Sequence, residues 1–198
     1  MKHAIVQILR RFSNEERGTL TVEAVLILPI LVWWWVASLV FFDAYQALNV
    51  NQKAAFTVSD MISREMGDEP VNATYMDGMA AVFGYLTAGH GTNSAIRVTE
   101  IYCEDNCDLD NPARVIRVDW SYATDSRPAL DDDSIMNFQD QIPITTKQDR
   151  AIMLETFMDY KAAFNVGLKD HNYQNLVVTR LRWALRLCWE TCDPDAGS

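Results

Sequence analysis

Residues 24–42, AVLILPILVWWWVASLVFF, run for 19 positions without a charge. As a helix the run is about 28 Å long, close to the roughly 30 Å hydrocarbon thickness of a bilayer. A helix satisfies its own backbone hydrogen bonds, so lipid tolerates it. The run therefore predicts a membrane-spanning helix. Lys2, Arg10, Arg11 and Arg17 precede it, and the far flank carries Asp43 and no basic residue before Lys53. Basic flanks stay in the cytoplasm, which predicts a cytoplasmic N-terminus and a large domain on the other side. A secretory signal fits less well. Its apolar region spans about 7–15 residues, and Ser38, the best small-residue site, lies inside the run.

Glu23 stands at the edge of the run, five residues after Gly18. A carboxylate is costly at the centre of a membrane helix and less so near the interface. The plain reading is a side chain reaching up to headgroups. A basic leader, Gly18, four apolar or hydroxyl residues, Glu23 and an apolar helix together resemble the type IV prepilin processing site. That resemblance implies a membrane peptidase cutting between Gly18 and Thr19 on the cytoplasmic side. Glu23 would then pair subunits. A cut leaves a positive amine on Thr19, and a neighbouring carboxylate suits it in a low-dielectric filament core.

The run Gly18–Leu31, GTLTVEAVLILPIL, narrows the resemblance to the TadE-like family of minor pseudopilins of tight-adherence (Flp) pilus systems. That family shares E-x-x-x-x-x-P, here Glu23 and Pro29. Residues 54–65, 163–168 and 177–188 are also similar to TadE-like proteins; residues 67–150 carry little of the signal. Type IV pilins usually place Phe after the cut, and Thr19 departs from that. The departure bears on N-terminal methylation rather than on the cut. The resemblance implies a pilin-like α+β fold: a long N-terminal transmembrane helix, then an external domain with an antiparallel sheet and short helices. The implied partners are a prepilin peptidase, other pilus-assembly subunits and inner-membrane lipid. The implied location is the bacterial inner membrane, single pass, with the C-terminal domain periplasmic or in an extracellular pilus.

Beyond the bilayer, Tyr45, Leu48, Ala55, Val58, Ile62 and Met66 fall at helical spacing. No Gly or Pro interrupts 44–66, and Gly67 supplies a stop. One helix over 19–66 is expected, kinked or not at Pro29; two helices hinged near Asp43 are the alternative. Residues 1–18 are then a leader, 24–42 the membrane segment and 67–198 the external domain. Within it, 67–76 reads as a loop and Asp77–Leu86 as a helix. Ile96–Tyr102 and Arg114–Tyr122 alternate as a strand hairpin, the second with Ile116, Val118, Trp120 and Tyr122 on one face. Asp131–Gln141 reads as a short helix opened by acids, 165–167 as a loop, and Leu176–Trp189 as a long strand. Ala151–Tyr160 suits strand or short helix, and the family resemblance implies strand.

Six tryptophans include Trp33, Trp34 and Trp35 in mid-helix. Tryptophan prefers membrane interfaces or packed protein contacts. Packing against other helices and simple lipid-facing bulk are equally open there. The net charge is −10; residues 1–18 carry four basic and two acidic side chains, so the chain from Thr19 onward carries −12. That acidity argues against nucleic acid as a partner.

Cys103, Cys107, Cys188 and Cys192 all lie in the expected external part, where an even count implies disulfides. The two C-x-x-x-C spacings favour local pairs. Cross-strand pairing such as Cys103 with Cys188, or a four-cysteine zinc site, are the rivals. His3, His90 and His171 have no nucleophile pattern beside them, and no phosphate-binding or metalloprotease motif occurs. The acidic stretches Glu104–Asp110 and Asp131–Asp133 lack EF-hand spacing and read as solvated faces rather than calcium ligands. No metal or cofactor is expected. The chain reads as a structural component rather than an enzyme. The alternative is an uncleaved, single-pass anchored periplasmic binding domain.

Overall fold

The computed structural model describes residues 19–67, 69–107 and 113–191. They form an α+β arrangement of one long apolar helix, a second helix and a four-stranded antiparallel sheet. The chain divides into two compact units, 1–43 with 162–168 and 44–161 with 169–198.

Helix α1, Thr19–Ser63, is 45 residues long and contains Pro29. It ends three residues before the expected 66. Arg64 and Glu65 donate back to the carbonyls of Met61 and Ile62, tightening the last turn, and the Ser63 carbonyl accepts from the Arg182 N–H. Gly67 follows at φ +74°, and a Cβ there would lie 2.9 Å from Ala184 Cβ. The helix stop is therefore also a close crossing of two backbones.

In the second unit, α1 buries Ala44, Ala47, Asn51, Ala54, Ala55, Val58, Ser59 and Ile62. The expected face is corrected: Tyr45 and Met66 are exposed and Leu48 is half-buried. Ala55, Val58 and Ile62 are buried as expected, and Ala44, Ala47 and Ala54 complete the buried face. Hydroxyls and an amide cross this seam, Ser59 to Thr179 at 2.6 Å and Thr156 to Asn51 at 3.3 Å.

Helix α2, Ala73–Leu86, starts earlier than expected because Asn72 caps it, its Oδ1 accepting from the Tyr75 N–H at 3.0 Å. The strands are β1 (Thr92–Asp105), β2 (Val115–Ala123), β3 (Arg150–Tyr160) and β4 (His171–Arg180), in the order β2-β1-β3-β4. One face of the sheet packs Ile96, Val98, Trp120, Ile152 and Leu154 against Val58, Ile62, Met76 and Phe83 of the two helices. The other packs Ile101, Ile116 and Met153 against Leu130, Ile135 and Ile142. A 3-10 helix, Ile135–Gln141, covers that face where a short helix was expected from Asp131. The Asp131 and Ser134 side chains instead bond each other in the turn before it.

Two sequence expectations are corrected in the sheet. Ile116, Val118, Trp120 and Tyr122 do not share a face. Glu100 pairs with Trp120 and Ile101 with Val118, so Asp119 is an extra residue in a β-bulge that reverses the alternation. Ile116 and Val118 join the 3-10 side, and Trp120 and Tyr122 the helix side. The long strand 176–189 is also not formed. Pairing with β3 begins at His171 and ends at Arg180. Residues 181–189 then leave the sheet, held by Arg182 N–H on Ser63, Leu187 on Glu100, and a short bridge of Trp189 to Val71. That bridge ties down Val71, within the part of the expected loop that precedes α2.

Candidate functional site

The amino-terminal half of α1 carries the residues that the sequence singles out. Among the described residues this is the one helix long and apolar enough to cross a membrane. Every side chain from Thr21 to Trp35 is exposed. Such an apolar surface requires lipid or other protein around it. Glu23 is exposed and makes no hydrogen bond or ion pair with the described residues. With Ala24, Ile27, Leu28, Leu31 and Val32 it lines a shallow depression along the helix. Pro29 lies within the same turn pattern and the helix continues through it. Thr19 opens the helix; Gly18, and so the cleavage site itself, lies outside the described residues. Trp33, Trp34 and Trp35 are 55%, 69% and 62% exposed. Consecutive helical residues are about 100° apart, so the three indoles ring most of the helix.

The second unit holds a buried polar centre that sequence reasoning passed over. Glu100 lies on the helix-facing side of β1, in step with Ile96 and Val98, and is fully buried. Its Oε2 accepts from the Trp120 indole N–H at 2.7 Å and its Oε1 from the Leu187 N–H at 2.9 Å. The same indole N–H also points to the Leu187 carbonyl at 2.7 Å. Burial pushes the Glu100 carboxyl up to about 7; Asp119 adds to the rise, while the Leu187 N–H, the indole and Arg150 oppose it. Trp189 then stacks on Trp120 and Tyr122, each at 5.1 Å. Glu100 thus fastens the crossing segment 181–189 over the sheet. The available signal was its place in the alternation, a charge at a position where the pattern demands an apolar side chain.

Two arginines tie down the opposite face. Arg97 and Glu155 sit directly opposite on β1 and β3, and one edge of the guanidinium, Nε–H and Nη2–H, donates to the two Glu155 oxygens at 2.6 and 2.7 Å. Both are almost fully buried. Arg114, 2% exposed, donates to the carbonyls of Gln139, Ile142 and Pro143 and so closes the end of the 3-10 helix. These are structural ties.

Cys103 and Cys107 form a disulfide, one of the two local pairs favoured by spacing. Cys188 is also disulfide-bonded, and the Cys103–Cys188 alternative is excluded because Cys103 is already joined to Cys107. Cys192 lies outside the described residues. Of the acidic stretches, Asp132 bonds Arg117 and the Val118 N–H, and Asp131 bonds Ser134. Residues 108–110 are outside the described set. No group of three or more His, Cys, Asp or Glu side chains among the described residues could hold a metal ion. The structure therefore brings together Glu23 and Pro29 on one helix and Cys103 with Cys107 at one strand end. No protein-family model, no curated protein and no solved structure matches the chain.

Proposed function

We propose that the chain is a minor pseudopilin-like structural component of a Flp/Tad-type pilus, cut by a prepilin peptidase after Gly18. The observation that carries this reading is the run Gly18–Leu31, with Glu23 and Pro29 six residues apart at the head of a long apolar helix. Glu23, exposed and without a partner among the described residues, is consistent with a carboxylate reserved for another subunit. In this reading the N-terminus is cytoplasmic, inner-membrane lipid surrounds the helix before assembly, and the second unit stands outside. Its acidity favours protein partners over nucleic acid. The role is one of priming or positioning in assembly rather than catalysis.

Mass spectrometry of the membrane-extracted protein, from cells carrying a prepilin peptidase, tests the reading. A mature chain beginning at Thr19 is expected. A bulky residue at Gly18 should leave the full precursor, because a residue without Cβ lets the peptidase approach the backbone. An uncut wild-type chain in the same cells would overturn the reading and leave a permanently anchored binding domain.

A further inference from the structure

The two edges of the sheet are finished differently. The outer edge of β2 is sealed. The Val118 N–H donates to Asp132 at 2.9 Å, Ser121 Oγ accepts from the Leu130 N–H at 2.9 Å, and Asp119 bulges the strand. On the outer side of β4 no strand pairs among the described residues. β4 is in continuous register with β3 from His171 to Arg180, and between those two residues it holds no charge, Pro or Gly. Folded proteins guard an edge with charges, prolines or bulges, because a row of N–H and C=O groups is a template for another strand. The surroundings of this edge are shaped as well. On one face Phe138, Phe157 and Leu176 line a pocket of about 190 Å³, with exposed Gln141 and Gln174 at its rim. On the other face α1 lies along β4, with Ser59 bonded to Thr179, and Phe56, one turn before Ser59, is 61% exposed.

We propose that the β4 edge takes up an extended segment of a different protein as a fifth strand, with one apolar side chain of that segment in the pocket between Phe138 and Phe157. In contacts of this kind backbone pairing supplies affinity, and pockets beside alternate residues supply selectivity. Two rings and Leu176 make the pocket walls apolar. Its one charged group, Glu155, has both oxygens held by Arg97, so a charged side chain finds no partner there. A second copy of the chain does not suit the edge. α1 and β4 run in the same direction, Ala44 lying by Tyr173 and Ser59 by Thr179. An antiparallel pair of β4 edges would turn the two α1 helices in opposite directions, although residues 24–42 lead into both from one membrane. A parallel pair sets a residue that points at its neighbour opposite one that points away, whereas a two-fold axis along the strands sets like against like. The β2 edge of another copy is closed. The inference rests on the pseudopilin-like reading only in placing 24–42 in the membrane; it does not require cleavage.

The test is photo-cross-linking of the full-length chain in the membranes of its own cells. A photoreactive phenylalanine analogue replaces exposed His171, Gln174 or Arg180, one at a time. Mass spectrometry of the adducts reads the residues joined. One segment of one partner is expected, and the residue reached should shift along it, in one direction, by the same three and six residues that separate the sites. An apolar residue should lie opposite Gln174. Gln174→Lys, which puts a charge on the edge, should lower the His171 and Arg180 adducts several-fold. The analogue at exposed Asp133, beside the sealed edge, should give no such series. Adducts only with lipid or a second copy, adducts without the shift, a charged residue opposite Gln174, the same series from Asp133, a series unchanged by Gln174→Lys, or no adduct would each overturn the proposal. The mass of the extracted chain, read on the same sample, reports cleavage after Gly18 separately.

Discussion

At the scale of single residues, Glu100 is the side chain whose environment departs furthest from its chemistry. An unperturbed carboxyl titrates near 4.5, and in the fold this one titrates near 7, chiefly because it is buried. Between those values the folded state holds a proton that the unfolded state has lost. Stability contributed by this group is therefore present below about 4.5 and is lost as pH rises through about 7. The full difference is on the order of 3 kcal/mol. Glu100→Gln should flatten this part of the pH dependence, although it replaces one acceptor by a donor and lowers overall stability. Denaturant midpoints of the detergent-solubilised chain at pH 5 and pH 8 measure it. Equal slopes for the two proteins would show that another group is responsible. None of this was visible from residue type alone. Glu100 reads as a solvated strand residue until the crossing of Leu187 and Trp120 closes over it.

At the scale of elements, the helix–sheet seam and the hairpin tip make separate predictions. Ala47 is fully buried where α1 lies on the sheet. Ala47→Leu should destabilise by about 1–3 kcal/mol, since a packed seam has no room for three added carbons, while the same change at exposed Gln52 should be nearly neutral. Thermal or chemical unfolding of the two variants decides between a tight seam and a loose one. At the tip, Cys103–Cys107 closes a very short loop, worth about 2 kcal/mol by loop entropy. Alkylation of the purified chain without reductant should add no mass. Four labels would place the second unit in a reducing compartment. The element types were largely legible: α1, α2, β1, β2 and part of β4 follow from apolar period and β-branched runs, whereas the pattern of 151–160 left strand and short helix open and only the family resemblance implied the strand β3. Their faces were less legible. The helix face held at Ala55, Val58 and Ile62 but not at Tyr45, Leu48 and Met66, where Ala44 and Ala47 are buried instead, and β2 split because one extra residue, Asp119, reverses its alternation.

At the scale of the whole molecule, the prediction concerns assembly. Glu23→Ala should leave cleavage after Gly18 largely intact and should block incorporation into a pilus or secretion fibre. On the proposed reading the carboxylate serves a neighbouring subunit, and it has no partner among the described residues of its own chain. Comparing the mature chain in membranes with that in sheared surface fractions measures both steps at once. Normal incorporation of the variant would remove Glu23 from the assembly contact.

What the sequence by itself determined is whatever depends on local composition. An uncharged run of 19 residues is long enough to span a bilayer in any fold, whereas the spacing of the cysteines favoured local pairs without deciding them, and the structure settled Cys103–Cys107. Glu23 and Pro29 lie within two turns of each other on any helix. Tertiary structure decided what depends on residues distant in sequence. Pairing with β3 stopped β4 at Arg180, because the following segment gains more from bonding Ser63, Glu100 and Val71 than from extending the strand. Burial under that segment, not the identity of the residue, made Glu100 a carboxyl of unusual affinity for its proton. The placement of Arg97 against Glu155 likewise required the register of two strands more than fifty residues apart.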